Sequence, residues 1–295
     1  MTAWRLIDSG FCDGAYNMAL DEAIASAVSR DESPPTLRFY GWEKPSVSIG
    51  AFQKITDIDI QYCSVNDIAF VRRPTGGRGI LHEDEFTYSF SSKNEGLFSH
   101  GLLKTYQYLS TALMSGIAML GIDAVMKVKR EPVETPMKSP LCFKSISYGE
   151  ISFKDRKIVG SAQKRWKDGF LQQGSIPFSV DYIKLSAVFK VSKDLYVIDD
   201  RAKDTGHASR ITHHDYMAGI REFVQNFDAD KLKQSIKLSF EQTFNIRFVE
   251  SRPSPQELEL AHRLSFEKYR NQLWTLGEQA NRRFCNNNKI LKTAL

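Results

Sequence analysis

Three extended segments near the middle of the chain, Ile146 to Phe153, Lys157 to Trp166 and Phe170 to Phe178, are joined only by the turn-like stretches FKDR and KDG. A parallel pairing needs a crossover of about a dozen residues, so connections this short predict an antiparallel β-meander. More strands precede it. Thr36 to Trp42 alternates Leu37 and Phe39 against Arg38 and Tyr40, and Val47-Ser48-Ile49-Gly50 is a short extended piece. Ile68 to Arg73 is apolar and β-branched, and Phe86 to Phe90 sets aromatics on one face. Helical periodicity brackets these strands. Gly14 to Arg30 repeats Leu20, Ile24, Ala27 and Val28, and Leu102 to Leu120 repeats Leu109, Leu113, Ile117 and Leu120. Grouped strands with helices around them predict an α+β fold whose sheet is mostly antiparallel.

The C-terminal part reads as mainly helical. Leu232, Ile236, Phe240 and Phe244 form one stripe, and IRFVE between Thr243 and Pro253 is a short strand. Ser254-Pro255-Gln256-Glu257 is a capping box with proline at the first helical position, opening a helix toward Tyr269. The expected organisation is a main unit over 1–243 and a small C-terminal helical extension over 244–295 packed on it. Met126 to Pro140 is rich in Lys, Pro and Glu with little periodicity, and reads as a loop of the kind that often covers a site.

Composition excludes several classes of function. The 295 residues are 42% hydrophobic and 25% charged, enough to bury a core without disulfides or metal. A net charge of +5 lacks the density of a nucleic-acid binder but suits the docking of an acidic protein. No basic stretch leads into an apolar one at the N-terminus, and no run of about eighteen apolar residues occurs, so neither a signal peptide nor a membrane span is expected. Cys12, Cys63, Cys142 and Cys285 form no C-x-x-C pair and have no histidine at ligand spacing. Reduced thiols in a cytoplasmic protein, with no metal, are the expectation.

Three stretches could carry chemistry. In Arg72-Arg73-Pro74-Thr75-Gly76-Gly77-Arg78-Gly79 the glycines allow backbone N–H groups to approach a ligand and the arginines add charge. The pattern is neither a P-loop nor a dinucleotide fingerprint, and an isolated Gly-Gly is ordinarily a surface turn. Cys142 follows Ser139-Pro140-Leu141 at the end of the polar loop, with Lys138 and Lys144 near it in sequence. A cysteine beside phenylalanine is ordinarily a small buried hydrophobe, although cationic neighbours favour the reactive thiolate. In Lys157-Ile158-Val159-Gly160-Ser161-Ala162-Gln163 small residues interrupt a good strand, as where backbone approaches a ligand or bulges. His82 follows the glycine loop and could pair with a cysteine, while His207, His213 and His214 lie in polar surroundings.

Taken in order, NMALDEA (17–23), RFYGWEKPSVSIGAFQ (38–53), RRPTGGRGILHEDEFTYS (72–89), and KIVGSAQKR with QQGSI (157–176) resemble the superfamily of lipoate-protein ligases, octanoyltransferases and biotin ligases. The tail SPQELELAHRLSFEKYRNQLW (254–274) is similar to the ending of one subclass. ATP-dependent lipoate-protein ligases carry a glycine-richer R-R-x-S-G-G-G-A-V-x-H-D loop, from which Thr75, Arg78 and Gly79 depart. The acyl-thioester octanoyltransferases carry R-R-P-T-G-G-R and a cysteine fifteen residues before the lysine of K-[IV]-x-G-S-A-Q, the separation of Cys142 and Lys157 here.

The resemblance implies a class II biotin/lipoate-ligase-like catalytic domain. It implies transfer of an octanoyl group from acyl carrier protein to Cys142, then to the lysine of a lipoyl domain such as glycine cleavage H protein. Lys157 would lower the thiol's pKa and help to place the carbonyl. Arg73, Thr75, Gly76, Gly77, Arg78 and His82, with Gly160, Ser161, Ala162 and Gln163, would bind substrate. Thioester energy is already present, so the resemblance implies no ATP, no metal and no other cofactor. The alternative is an ATP-dependent lipoate-protein ligase working through an acyl-adenylate on the same fold. Nucleic acid and membrane partners are not expected.

Overall fold

The computed structural model describes residues 2–126, 150–189 and 216–277. Cys142, Cys285, His207, His213, His214 and nearly all of the 126–140 loop lie outside the described residues. In chain order the elements are β1 (Thr2–Cys12), α1 (Gly14–Ser29), β2 (Thr36–Trp42), β3 (Ser46–Ile49), α2 (Ile60–Val65), β4 (Ala69–Arg72), β5 (Ile80–His82) and β6 (Glu85–Lys93). Then come α3 (Gly101–Ala118), β7 (Val125–Met126), β8 (Ile151–Phe153), β9 (Arg156–Arg165), β10 (Gly169–Pro177) and α4 (Tyr182–Val188). The chain continues through α5 (Ala229–Phe244), β11 (Ile246–Glu250), α6 (Pro255–Leu264) and α7 (Gln272–Leu276).

Eight strands form one sheet in the order β11-β1-β2-β6-β10-β9-β8-β7, and β4-β3-β5 form a smaller one. In the large sheet β1 runs parallel to both neighbours, and the remaining pairings are antiparallel. The meander is present as β8-β9-β10. Its first turn is Lys154-Asp155, both at positive φ (49° and 61°), as a two-residue hairpin turn requires. The segment expected to start at Ile146 is described only from residue 150 onward.

Period-two alternation assigns the two faces of the large sheet. Leu37 and Phe39 of β2, with Phe86, Tyr88 and Phe90 of β6, point to one side and pack under α3 and α5. Leu109, Leu113 and Ile117 of α3 and Leu232, Ile236 and Phe240 of α5 are the helical partners, the two stripes read from the sequence. The opposite face carries Arg38, Tyr40 and Trp42 beneath α1, with Ala261 of α6 and Tyr269 closing the layer. Asp13 caps α1 by accepting from the backbone N–H of Ala15 and Tyr16.

The C-terminal elements are joined to this frame. Ile246 to Glu250 pair with Thr2 to Leu6, and α6 packs across α1. The Ser254–Glu257 capping box is formed with Pro255 in the first turn, and Glu257 also holds Arg5 through two hydrogen bonds of 2.9 and 2.5 Å. Beyond Leu264 the chain winds through one π-helical turn, Ser265–Tyr269, before α7. No helix among the described residues is long and apolar enough to cross a membrane.

Candidate active site

The Gly-Gly loop between β4 and β5 is fixed by its own arginines. Arg73 Nη1 donates to the carbonyl of Ser48 (3.0 Å) and Nη2 to those of Gly76 (2.7 Å) and Arg78 (2.8 Å). Arg72 donates to the carbonyls of Gly50, Gln53 and Trp274. Sequence had suggested these cations as charge for a ligand; both are buried and directed at carbonyls, so they staple loop to strand. Gly77 takes φ +88°, which a side chain disfavours, and its carbonyl lies against Gly50, where an added Cβ would be only 2.0 Å from that oxygen. The glycines therefore allow backbone to meet backbone.

Beside this loop a pocket opens between the two sheets. The large sheet contributes Tyr40, Trp42, Thr87, Gly160 through Ala162 and Gln173 through Ser175; the small sheet contributes Ser48, Ile80 and His82; Arg73 and Met18 complete it. Apolar rings thus meet a few fixed polar groups, the usual character of a small-molecule site.

Beneath the pocket lies a buried network that the NMALDEA and QQGSI stretches build. Arg38 donates to Asp21 (2.7 Å), to the Asn17 side chain (2.7 Å) and to the Asn17 carbonyl (3.1 Å). Asp21 also accepts from Tyr40 (2.9 Å), Ser89 (2.6 Å) and Gln173 (2.7 Å). Gln173 in turn accepts from Thr75 (2.9 Å), which links helix α1 through the sheet to the glycine loop. A buried ion pair is tolerated only when such bonds satisfy it. Burial and the nearby Asp21 carboxylate hold the Tyr40 phenol well above its usual pKa, so it remains a donor.

Of the residues singled out from sequence, Arg73, His82, Gly160, Ser161 and Ala162 line the pocket. Thr75 supports it from behind, and Gly76, Gly77 and Arg78 form the adjoining loop. Ser161 Oγ lies 2.9 Å from the Tyr88 hydroxyl, whereas Gln163 is turned to Gln172 (3.1 Å). Lys157 does not border the pocket. It is fully buried on β9, three residues before Gly160, with Nζ 2.5 Å from the Glu150 carboxylate. Cys142 lies outside the described residues. Sequence reasoning missed Ser48, Glu85, Gln173 and Trp42, although each stood inside or beside a quoted motif; only pairing across strands reveals them.

His82 is held on three sides. Its ring stacks on Trp42 with centroids 4.0 Å apart, Nδ1 lies 2.7 Å from Glu85 Oε1, and Nε2 lies 2.7 Å from Ser48 Oγ. Glu85 also accepts from Trp42 Nε1 (3.2 Å), Ser175 Oγ (2.5 Å) and the hydroxyl of Thr87.

The family model for the lipoyl protein ligase A/B catalytic domain matches residues 13–241. An octanoyltransferase LipM of Anoxybacillus flavithermus is 36% identical over 278 residues, covering 92% of this chain and 97% of that protein. One from Geobacillus kaustophilus is 44% identical over 193 residues, 63% of this chain and 69% of that protein. A lipoate-protein ligase A bound with ATP superposes with a TM-score of 0.75 at 24% identity, covering 94% of this chain and 99% of that one; at that identity the likeness speaks to fold. The chain belongs to the lipoyl protein ligase A/B catalytic-domain family. Within that family it is an acyltransferase of the octanoyltransferase group.

Proposed function

We propose that the protein carries an octanoyl group from acyl carrier protein to the lysine of a lipoyl domain, such as glycine cleavage H protein, through an acyl-thioester on Cys142. The observation that carries this reading is how the loop arginines are used. A triphosphate needs cations directed at it, yet Arg72 and Arg73 are bonded to backbone carbonyls. The pocket beside them instead offers apolar surface from Met18, Tyr40, Trp42 and Ile80, where each buried methylene of an acyl chain contributes about 0.8 kcal/mol.

In this reading the Cys142 thiolate attacks the carrier-bound thioester, carrier thiol leaves, and the acceptor amine then attacks acyl-Cys142. Small residues at 160–162 border the space where a carbonyl and its oxyanion would be held, with the Gly76-Gly77 loop next to Ala162. Lys157 acts on the thiol from β9, with Glu150 orienting its ammonium. No step requires ATP.

The test offers an H protein acceptor either octanoyl carrier protein without ATP or free octanoate with ATP. Acylation in the first mixture, with one hydroxylamine-labile acyl group on wild type and none on Cys142→Ala by intact mass, is the expected result. Acylation only in the second mixture identifies an adenylate-forming ligase instead. Lys157→Ala should slow thioester formation; an unchanged rate at neutral pH removes its assigned part.

A further inference from the structure

Strand β9 continues past the pocket on the face that α1 covers. Ser161 and Gln163 turn to the opposite face, toward Tyr88 and Gln172, so alternation sets Gly160, Ala162 and Lys164 together on the α1 side. Gly160 through Ala162 line the pocket, and Lys164 stands about 7 Å beyond Ala162 along the strand. Lys164 is half-buried, and its ammonium lies 4.8 Å from the centroid of the Trp166 ring. Among the described residues no carboxylate reaches it at ion-pair distance. Its charged neighbours are Lys268 and Glu22. Lys268 lies 4.5 Å from the centroid of the Trp274 ring and donates to both oxygens of Glu22, at 2.8 and 2.6 Å. Trp274 is bonded in turn to the Arg72 carbonyl (2.9 Å), which ties this rim to the glycine loop. Two ammoniums therefore share one carboxylate, and the rim keeps a net positive charge. Burial and the repulsion of Lys268, against the pull of Glu22, hold the Lys164 ammonium below its usual pKa; a bound anion offsets both.

We propose that Lys164, with Lys268 beside it, binds the phosphodiester of the donor's prosthetic arm, an inference that rests on the carrier-protein reading above. An acyl carrier protein presents its thioester on phosphopantetheine, whose single charge is that phosphodiester. The dimensions agree with this placement. Tyr40 and Trp42 stand on β2, and β6 and β10 separate that strand from β9, a span of about 14 Å at about 4.8 Å per strand. An extended eight-carbon chain lying across the strands from those rings fills most of that span and brings its carbonyl beside residues 160–162. From there the arm runs outward along β9. About a dozen bonds separate its sulfur from its phosphate, as in about four peptide units, or about 13–14 Å when extended. Gly160 and Lys164 are four residues apart on an extended strand, about 13 Å. The Trp166 ring steadies the ammonium without occupying its N–H donors on another acceptor, so they are available for charge-assisted bonds to phosphate.

Two thioether analogues test the subsite: S-octyl-phosphopantetheine, whose phosphate stands in for the diester, and the same molecule without phosphate. Neither can transfer an acyl group. Their dissociation constants are measured by calorimetry with wild type, Lys164→Met and Lys164→Arg. Wild type should bind the phosphorylated analogue about tenfold more tightly, the size of one partly exposed charge-assisted bond. Lys164→Arg should keep most of that preference, and Lys164→Met should lose it. Equal affinity of wild type for the two analogues, measurable affinity for neither, or a preference undiminished in Lys164→Met overturns the subsite. Failure of octanoyl carrier protein as a donor in the assay above removes the donor reading alone, because the analogues report binding without turnover.

Discussion

At the scale of single residues, burial sorts the thiols. Cys63 is buried beside Asp59, and desolvation with that neighbouring charge pushes its thiol up to about 11. Cys12 is also raised, chiefly by burial. A thiol reacts as its thiolate, so Cys63 should remain unmodified by iodoacetamide at neutral pH in the folded protein and react once the chain is unfolded in urea. Peptide mapping of the alkylated protein checks this; rapid native labelling of Cys63 would contradict its burial. Gly50 and Gly77 make the complementary point about backbone. The Gly76-Gly77 pair was legible as a loop that approaches something closely, but what Gly77 approaches is Gly50, where the loop after β4 meets the end of β3.

Among the elements, α6 depends on a residue far from it in sequence. Glu257 is opposed by desolvation, which raises its pKa, but hydrogen bonds from Arg5, the Ser254 backbone and Ser33 together bring the carboxyl below its usual value. A carboxyl depressed on folding contributes stability above the ordinary glutamate range, and that stability is lost as pH falls through the folded value. Glu257→Gln should therefore lower stability at neutral pH and flatten the acid limb of a plot of unfolding midpoint against pH. Since it leaves Arg5 buried and unpaired, a loss of about 3–5 kcal/mol is expected by urea denaturation. The capping box was readable from four consecutive letters, as were the meander, the α3 and α5 stripes and the strand at Thr36–Trp42. Local pattern suffices for these because hydrogen bonding and burial repeat within the element. The hydrogen-bonded set of Ser48, His82 and Glu85 was not readable in the same way. Its members stand on β3, β5 and β6, and only the junction of the two sheets brings them within bonding distance. The Arg38–Asp21–Gln173 network is hidden for the same reason, with one member each on β2, α1 and β10.

For the whole molecule, the large sheet sets what can be removed. Residues 244–295, proposed as an extension packed on the 1–243 unit, include the strand that flanks β1 and the helix that carries Glu257. A chain ending at residue 243 would leave an unpaired edge beside Trp4 and Leu6, both buried in the intact protein. It should be largely insoluble when expressed, and a soluble, cooperatively melting truncation would show instead that the extension is dispensable for folding. The same parallel pairing bears on how the protein is made. Thr2 meets Ile246, so β1 cannot acquire its outer neighbour until roughly 240 residues later, tens of seconds at elongation rates of about 5–20 residues per second. Throughout that interval the nascent sheet presents an open flank, and the cell must keep it from pairing with another copy.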